Sequence, residues 1–381
     1  MKKHILIFLM LPAILQAQQI PSEVNNFSNQ LLGKLRTNGK NTFCSPIGVS
    51  YVSAMLYAGS GGKTRSDLEQ IMKFINPSVF DEFENFSAQI NAINTKKEVE
   101  IRIANGIWNR MNIKKDFSRI ILEKFHSESF PLTTEIPIND WASEKTNGKI
   151  KNLLPPGSIT GDIMMVLANA IYFKGDWKYR FDSTKTKKEW FYKESGSKTK
   201  TELMFIETVI GYLPSNDFDM IELPYKGDEL AMRVFLPHKD KTISDLIQTR
   251  VIANTGIYSM QKVKVFLPKM ELDAEYDLKG PMTDLGLGSL FNGADFSGMA
   301  DAQLQVDKML QKAYLKMDEK GTEAAAVTVA TVMTTSAVAP VHVEVPVFRA
   351  DRPFLFTIIH KTTGTILFAG TMEDPELMKE N

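Results

Sequence analysis

Apolar residues recur at helical spacing through the first half of the chain. Ser45 and Pro46 have the form of an N-cap followed by proline at the first helical position. This signal predicts a helix that ends at Gly59. Its repeating apolar positions are Ile47, Tyr51, Met55 and Ala58.

More helices are predicted downstream of this one. The run from Thr64 to Asp67 resembles a capping box at the start of a helix that carries Leu68, Ile71 and Met72. Helical patterns also occur at 81–94, 116–128 and 140–150.

The pattern changes to strands from about residue 164. The run MMVLANAIYF is almost entirely apolar and of strand length, as expected for a strand covered on both faces. Similar runs occur at 230–236, 262–267 and 341–345, and two runs at 354–360 and 365–369 flank the turn signal KTTG. Helices early and strands late predict an α+β fold with segregated elements.

One stretch, residues 318–346, has an unusual composition. No charged side chain lies between Glu323 and Glu344, and Gly321 has the backbone freedom of a pivot. Pro340 and Pro346 oppose regular pairing at the far end. The stretch is predicted to be a mobile segment whose first half can join a sheet, because its alternate side chains are small or β-branched: Thr322, Ala324, Ala326, Thr328, Ala330 and Val332.

Three simpler interpretations explain this stretch less well. A permanently buried strand accounts for 324–333 but not for the glycine start or the Thr/Ser/Ala tail. A membrane span requires a longer run with less threonine. A flexible linker is polar or rich in Gly and Ser, whereas this run favours β-structure.

The N-terminus predicts export. Lys2 and Lys3 precede an apolar run at 5–15, followed by small and amide residues, which is typical of a signal peptide cut after Ala17. The two lysines suit a bacterial exporter, and the mature protein is expected to be secreted or periplasmic. Residues 18–381 contain no linker or repeat, so one domain is predicted.

Composition and motifs argue against several functions. The formal net charge of zero gives no reason to expect nucleic acid or a membrane as a partner. Cys44 is the single cysteine and lies in the apolar run TFCSP, which favours a packed thiol. The chain lacks GxSxG, HExxH, a Walker loop and paired Cys/His ligands, so neither catalysis nor a metal or cofactor is expected.

Several motifs, in the same order, resemble those of the serpins over nearly the whole mature length. They are NTFCSPIGVSYVSAMLYAGSGGKTRSDL, IRIANGIWNR, NDWASEKTNGKI, LANAIYFKGDWKYRFD, PKMELDAEYDLKGPMTDLGL, DEKGTEAAA and FRADRPFLFTI. The resemblance implies a large central β-sheet, two smaller sheets, about nine helices and an exposed reactive-centre loop at about 319–346.

The resemblance also implies a function. A target protease would attack the loop and form a covalent acyl-enzyme, and the cleaved loop would then enter the central sheet and trap the protease. The expected molecule is a monomeric suicide substrate. Two alternatives are a non-inhibitory serpin-fold carrier or chaperone, against which the small hinge residues argue, and an exported hydrolase, which no motif supports.

Site residues follow from the same resemblance. Glu319 would pair with Lys269, Trp177 would lie where the sheet first opens, and Ser45 and Asn169 would lie beneath its centre. Gly48 and Gln311 depart from the usual Ser and His there, so altered stability is expected more than lost function. The hinge comprises Glu319, Lys320, Gly321, Thr322, Glu323, Ala324, Ala325, Ala326, Val327 and Thr328.

The reactive bond is placed between Thr335 and Ser336 by the usual loop length, within a window from Val332 to Val338. Every residue of this window is small or aliphatic. Trypsin-like proteases require Lys or Arg in a deep acidic pocket. Elastase-like or subtilisin-like serine proteases, or papain-like cysteine proteases, are therefore the expected targets.

Overall fold

A computed structural model describes residues 19–96, 98–253, 256–322 and 344–377. The expected signal peptide and the loop residues 323–343 lie outside the described residues. In the described part the α-helices are α1 (Gln19–Leu35), α2 (Pro46–Gly59), α3 (Gly62–Met72), α4 (Val79–Thr95), α5 (Lys115–Phe125), α6 (Ile136–Lys145), α7 (Ile243–Gln248) and α8 (Lys279–Met282).

The strands of the first two thirds are β1 (Thr42–Cys44), β2 (Val99–Asn109), β3 (Glu128–Pro131), β4 (Met165–Asp176), β5 (Lys187–Tyr192), β6 (Lys198–Pro214), β7 (Phe218–Pro224) and β8 (Leu230–Pro237). The later strands are β9 (Ser259–Pro268), β10 (Met270–Asp277), β11 (Lys308–Met317), β12 (Gly321–Thr322), β13 (Val347–Arg349), β14 (Phe354–His360) and β15 (Thr365–Met372). The α+β class is confirmed, and the eight α-helices of the described residues are close to the expected number.

Nine strands form one continuous hydrogen-bonded network in the order β1-β15-β14-β8-β7-β6-β9-β13, with β5 also paired to β6. The long strand β6 joins two portions of it. The first residues of β6 pair with β5, its middle pairs with β9 and its end pairs with β7. The two smaller sheets that were expected are therefore joined along one strand.

The central sheet has the order β10-β11-β12-β4-β2-β3. Strands β11 and β4 pair directly and in parallel at seven register positions from Lys308 to Tyr314. The carboxyl ends of both strands, which we call the upper end of the sheet, are separated by the short strand β12. This strand is antiparallel to both β11 and β4. Alternate residues of β4 face two cores. Leu167, Ile171 and Phe173 join the main core, whereas Val166, Ala168 and Ala170 pack in the smaller core that includes α6.

Three local expectations were wrong. Thr64 does not cap α3, because α3 begins earlier and the Thr64 hydroxyl instead accepts the backbone N–H of Asp295. Helix α6 ends at Lys145, not at residue 150, since Asn147 and Gly148 adopt positive φ. The strand expected at 341–345 is absent from its described part, residues 344–345, and pairing begins at Val347.

Candidate functional site at the upper end of the central sheet

The first residues of the hinge already occupy the central sheet. Thr322 pairs with Met317 of β11 and with Gly175 of β4, and Gly321 pairs with Asp176. Gly321 has a φ of 155°, and a Cβ there would lie 2.2 Å from the carbonyl oxygen of Gly175. Only glycine fits so close to the backbone of β4. Gly321 is therefore needed for this close approach as well as for the turn of the chain.

The aromatic side chains of Tyr225 and Trp177 pack against β12 and the residues before it. Thr322 is fully buried, and its hydroxyl lies 3.2 Å from the Tyr225 hydroxyl. The Tyr225 ring stacks on Trp177 at 4.5 Å between centroids. The indole N–H of Trp177 donates to the carbonyl of Asp318 at 3.0 Å, and its backbone N–H donates to Lys320 at 2.9 Å. Trp177 thus ties β4 to the hinge.

Glu319 anchors the hinge by charge. Its carboxylate lies 3.1 Å from Lys269 Nζ, the predicted partner, and accepts a hydrogen bond from the Thr186 hydroxyl at 2.7 Å. Its backbone carbonyl accepts from Phe181 at 2.9 Å. Burial alone would raise the pKa of Glu319, but the hydrogen bonds from Thr186 and Lys269 outweigh it and lower the pKa.

This lowered pKa predicts a loss of stability in acid. The ionised carboxylate stabilises the fold above the ordinary pKa of 4.5, and this stabilisation is lost as the pH falls from there through the lowered folded value. We expect Glu319→Gln to lower the melting temperature at pH 7, and the difference from wild type to shrink below about pH 4.5. Thermal melts from pH 3 to pH 7 measure this.

Glu128→Gln is the matched control, since Glu128 is exposed and has no cationic partner among the described residues. It is expected to leave the melting temperature unchanged at every pH. A Glu319→Gln deficit of the same size at pH 3 and pH 7 would contradict the assigned role of the ion pair.

Polar side chains join three strands at the centre of the same sheet. Gln311 and Asn169 are register partners on β11 and β4, and Asn105 is the partner of Asn169 on β2. The Gln311 amide donates to Asn169 Oδ1 at 2.8 Å, and Asn169 donates to Asn105 Oδ1 at 2.8 Å. Gln311 also accepts from the backbone N–H of Ser45 and donates to its carbonyl, at 2.9 and 2.8 Å. All four side chains are buried.

Gly48 and Gln311, which replace the usual Ser and His, both contact Asn169 and complement each other there. Gly48 lies one turn into α2, directly beneath the Asn169 amide, and a Cβ on it would lie 2.3 Å from Asn169 Oδ1. Gly48 therefore leaves room for the Asn169 side chain. Gln311 in turn supplies the hydrogen bond that fixes Asn169 from the neighbouring strand.

Some site residues were not found from the sequence. Tyr225, Thr186 and Asn105 contact the hinge or the central network. No role was assigned to them, because their partners lie 64 to 133 residues away. The remaining predicted hinge residues and the proposed reactive bond lie outside the described residues: Glu323, Ala324, Ala325, Ala326, Val327, Thr328, Thr335 and Ser336.

A reactive thiol, a metal site and a membrane-spanning helix find little support in the described residues. Burial raises the pKa of the Cys44 thiol to about 12, which agrees with a packed side chain and not with a nucleophile. The described part of the chain contains no group of three acidic, His or Cys side chains arranged to hold a metal ion. None of its helices is long and apolar enough to cross a membrane.

Comparison with known proteins agrees with this geometry. Residues 22–375 match the family described as Serpin (serine protease inhibitor). Serpin B6 of Macaca fascicularis and Serpin B8 of Homo sapiens are each 32% identical, covering 92% and 91% of this chain and 97% and 96% of their own. The crystal structure of Serpin48 from the insect Tenebrio molitor has a TM-score of 0.84 at 25% identity and covers 94% of this chain and 99% of its own. The chain therefore belongs to the serpin (serine protease inhibitor) family.

Proposed function

We propose that this chain is a suicide-substrate inhibitor of proteases that have a serine or cysteine nucleophile. The nucleophile attacks the scissile carbonyl of the loop, an ester or thioester forms, and the new amino terminus leaves. The freed loop then enters the central sheet before water hydrolyses the acyl bond. The observation that carries the proposal is β12, because its two residues already lie between β11 and β4.

The sheet favours continued insertion at this junction. Below β12, β11 and β4 pair in parallel, whereas an entering strand that continues β12 is antiparallel to both. One parallel ladder is thus replaced by two antiparallel ladders, which are the slightly more stable kind. With about ten inserted residues and a net gain of about 1 kcal/mol per hydrogen bond, the total is roughly 10 kcal/mol, comparable to the stability of a whole domain.

The register of β12 assigns a position to each entering residue. Continued without a slip, it puts residue 324 between Leu315 and Phe173, and residue 326 between Ala313 and Ile171. All four strand residues belong to the main core. The two loop positions are alanines, so they can enter a closed core without a large side chain or a charge.

Residue 328 has the most specific position in this register. It falls between Gln311 and Asn169, whose mutual hydrogen bond must break when β11 and β4 separate. Residue 328 is a threonine, and its hydroxyl can both donate and accept. We therefore expect Thr328 to replace the lost bond, so that insertion leaves no buried amide unpaired.

The loop composition supports a target with a shallow or apolar specificity pocket. Positions 332–338 carry no Lys or Arg, so elastase-like, subtilisin-like or papain-like proteases fit the loop better than trypsin-like ones. We also infer from residues 1–17 that the inhibitor acts outside the cytoplasm. In this role the chain is consumed once and does not turn over.

Complex formation tests the proposal directly. We expect the purified protein to form an SDS-resistant complex with pancreatic elastase, subtilisin or papain, and none with trypsin. Mass spectrometry of the released C-terminal fragment identifies the scissile bond. Cleavage without a complex across the whole panel would reject the inhibitory function.

Thermal melting separates inhibition from the alternative of a non-inhibitory carrier. A gain of roughly 10 kcal/mol on insertion is expected to raise the melting temperature of the loop-cleaved protein by about 10 °C or more. An unchanged melting temperature after cleavage would show that the loop does not insert, which is the behaviour of a carrier.

A further inference from the structure

Four charged side chains form a row across the central sheet, immediately below β12. Glu100 of β2 is the register partner of Lys174 of β4, and Glu271 of β10 is the register partner of Lys316 of β11. The row lies on the face opposite the main core, because Phe173, the neighbour of Lys174 in the chain, packs in that core. We call these four residues the charged row.

The two lysines of the row flank the place where a further strand can enter. Direct pairing of β11 and β4 ends at Tyr314 and Tyr172. Further towards the upper end, Thr322 of β12 lies between the two strands. Lys316 and Lys174 lie between these two points, where an entering strand would separate β11 from β4 by two strand spacings, or about 10 Å. A side chain on that strand would face both ammonium groups.

The charge of Lys174 is not neutralised by its neighbour in the row. Glu100 accepts a hydrogen bond from Arg102 Nε at 2.6 Å. Within the described ranges no carboxylate lies within ion-pairing distance of Lys174, although this residue is half-buried. Lys316, in contrast, pairs with Glu271 at 3.0 Å. A half-buried ammonium group without a carboxylate costs free energy, so Lys174 favours the arrival of a negative charge.

We propose that Lys174 binds the carboxylate of Glu323 when the cleaved loop enters the sheet, and that this ion pair fixes the register of insertion. The inference rests on the inhibitory function proposed above. Continued by one residue, the register of β12 puts residue 323, a glutamate, between Lys174 and Lys316. Opposite charges directly across neighbouring strands stabilise a sheet. The five strands would then carry charges of alternating sign along the row: Glu100, Lys174, Glu323, Lys316 and Glu271.

The ion pair penalises insertion in a wrong register. If the loop entered one residue too far, the Glu323 side chain would turn into the main core beside Phe173. If it entered two residues too far, Glu323 would lie between Tyr314 and Tyr172, where neither flanking residue is a cation. Residues 324–343 contain no charged side chain, so no other charge in the entering segment can select the register.

The rise in melting temperature on loop cleavage tests the proposal, with cleaved and intact forms of each variant melted side by side. Lys174→Glu places a carboxylate against the entering Glu323. We expect its rise to be smaller than that of the wild type by about 3 °C or more at low ionic strength. Removing the entering charge in Lys174→Glu/Glu323→Gln should restore most of the rise. Lys174→Arg keeps the positive charge and should give the wild-type rise. Raising the salt concentration to about 1 M should reduce the Lys174→Glu deficit, which a purely steric role would not show.

The matched control is Lys308→Glu. Lys308 lies on the same face of β11, but the same register puts an uncharged residue, Thr331, beside it. This variant should therefore show the wild-type rise. An undiminished rise in Lys174→Glu, an equal deficit in Lys308→Glu, or a deficit that remains when Glu323 is neutralised would overturn the ion pair and leave the inhibitory function standing. If cleavage did not raise the melting temperature of the wild type, the inhibitory function would fail and this inference with it.

Discussion

Thr322→Arg is expected to convert the inhibitor into a substrate. The target protease should cleave the variant at the same bond but escape, so that the covalent complex disappears and the cleaved form accumulates. We expect the number of inhibitor molecules consumed per inactivated protease to rise at least tenfold. Denaturing gels and titration of residual protease activity measure both changes.

The reason is the position of Thr322 in the sheet. Its side chain is fully buried between β11 and β4, with the Tyr225 hydroxyl as its polar partner. An arginine there would place a charge in the main core without a carboxylate, at a cost of several kcal/mol. Insertion must continue from this position, which already lies in the sheet. Each 1.4 kcal/mol added to the barrier slows insertion tenfold, so deacylation finishes first.

Two controls separate this effect from a general defect. Thr322→Ser keeps the hydroxyl and should remain inhibitory. Thr37→Arg adds the same charge at an exposed position and should also behave as wild type. Complexes formed by Thr322→Arg at the wild-type ratio would show that the side chain at this hinge position does not limit insertion of the rest of the loop.

Local sequence patterns predicted local structure well. The Ser45–Pro46 start of α2 and the turn between β14 and β15 were both found, since each depends on neighbouring residues alone. The capping box expected at Thr64 failed because the threonine hydroxyl is used by Asp295, which is 231 residues away. A motif of four residues carries no information about such a distant competitor.

The prediction of the candidate site depended far more on the family resemblance than on hydrophobic periodicity. Glu319 and Lys269 are 50 residues apart, and only the family pattern indicated that they pair. The contact of Tyr225 with Thr322 could not be inferred, because it depends on how β7 leads into the bridge between Trp177 and Tyr225. Packing across the sheet, and not the order of residues, brings these side chains together.

Gly48→Ala is expected to destabilise the uncleaved protein by about 2–4 kcal/mol, which corresponds to a melting temperature lower by roughly 3–6 °C. The new methyl group would lie 2.3 Å from Asn169 Oδ1 and 2.6 Å from its Nδ2. Asn169 cannot move aside freely, since hydrogen bonds to Gln311 and Asn105 hold both ends of its amide. The alanine must therefore break at least one of these buried bonds.

A double-mutant cycle tests this cause. With Asn169→Ala in the background the amide is absent, so adding Gly48→Ala should cost little, and the coupling energy should account for most of the single-variant loss. Gly280→Ala is the matched control, because Gly280 also lies in a helix but has open space around its Cβ position. That variant should match or slightly exceed wild-type stability.

The same variant should also change how readily the central sheet opens. Gln311 and Asn169 lie on the two strands that must separate, so weakening their bond lowers the barrier to entry of an uncleaved loop. On warming, we expect Gly48→Ala to lose inhibitory activity faster than wild type and Gly280→Ala to keep the wild-type rate. If Gly48→Ala lost as much stability in the Asn169→Ala background as in the wild-type background, the cause would lie in α2 itself and not in the amide network.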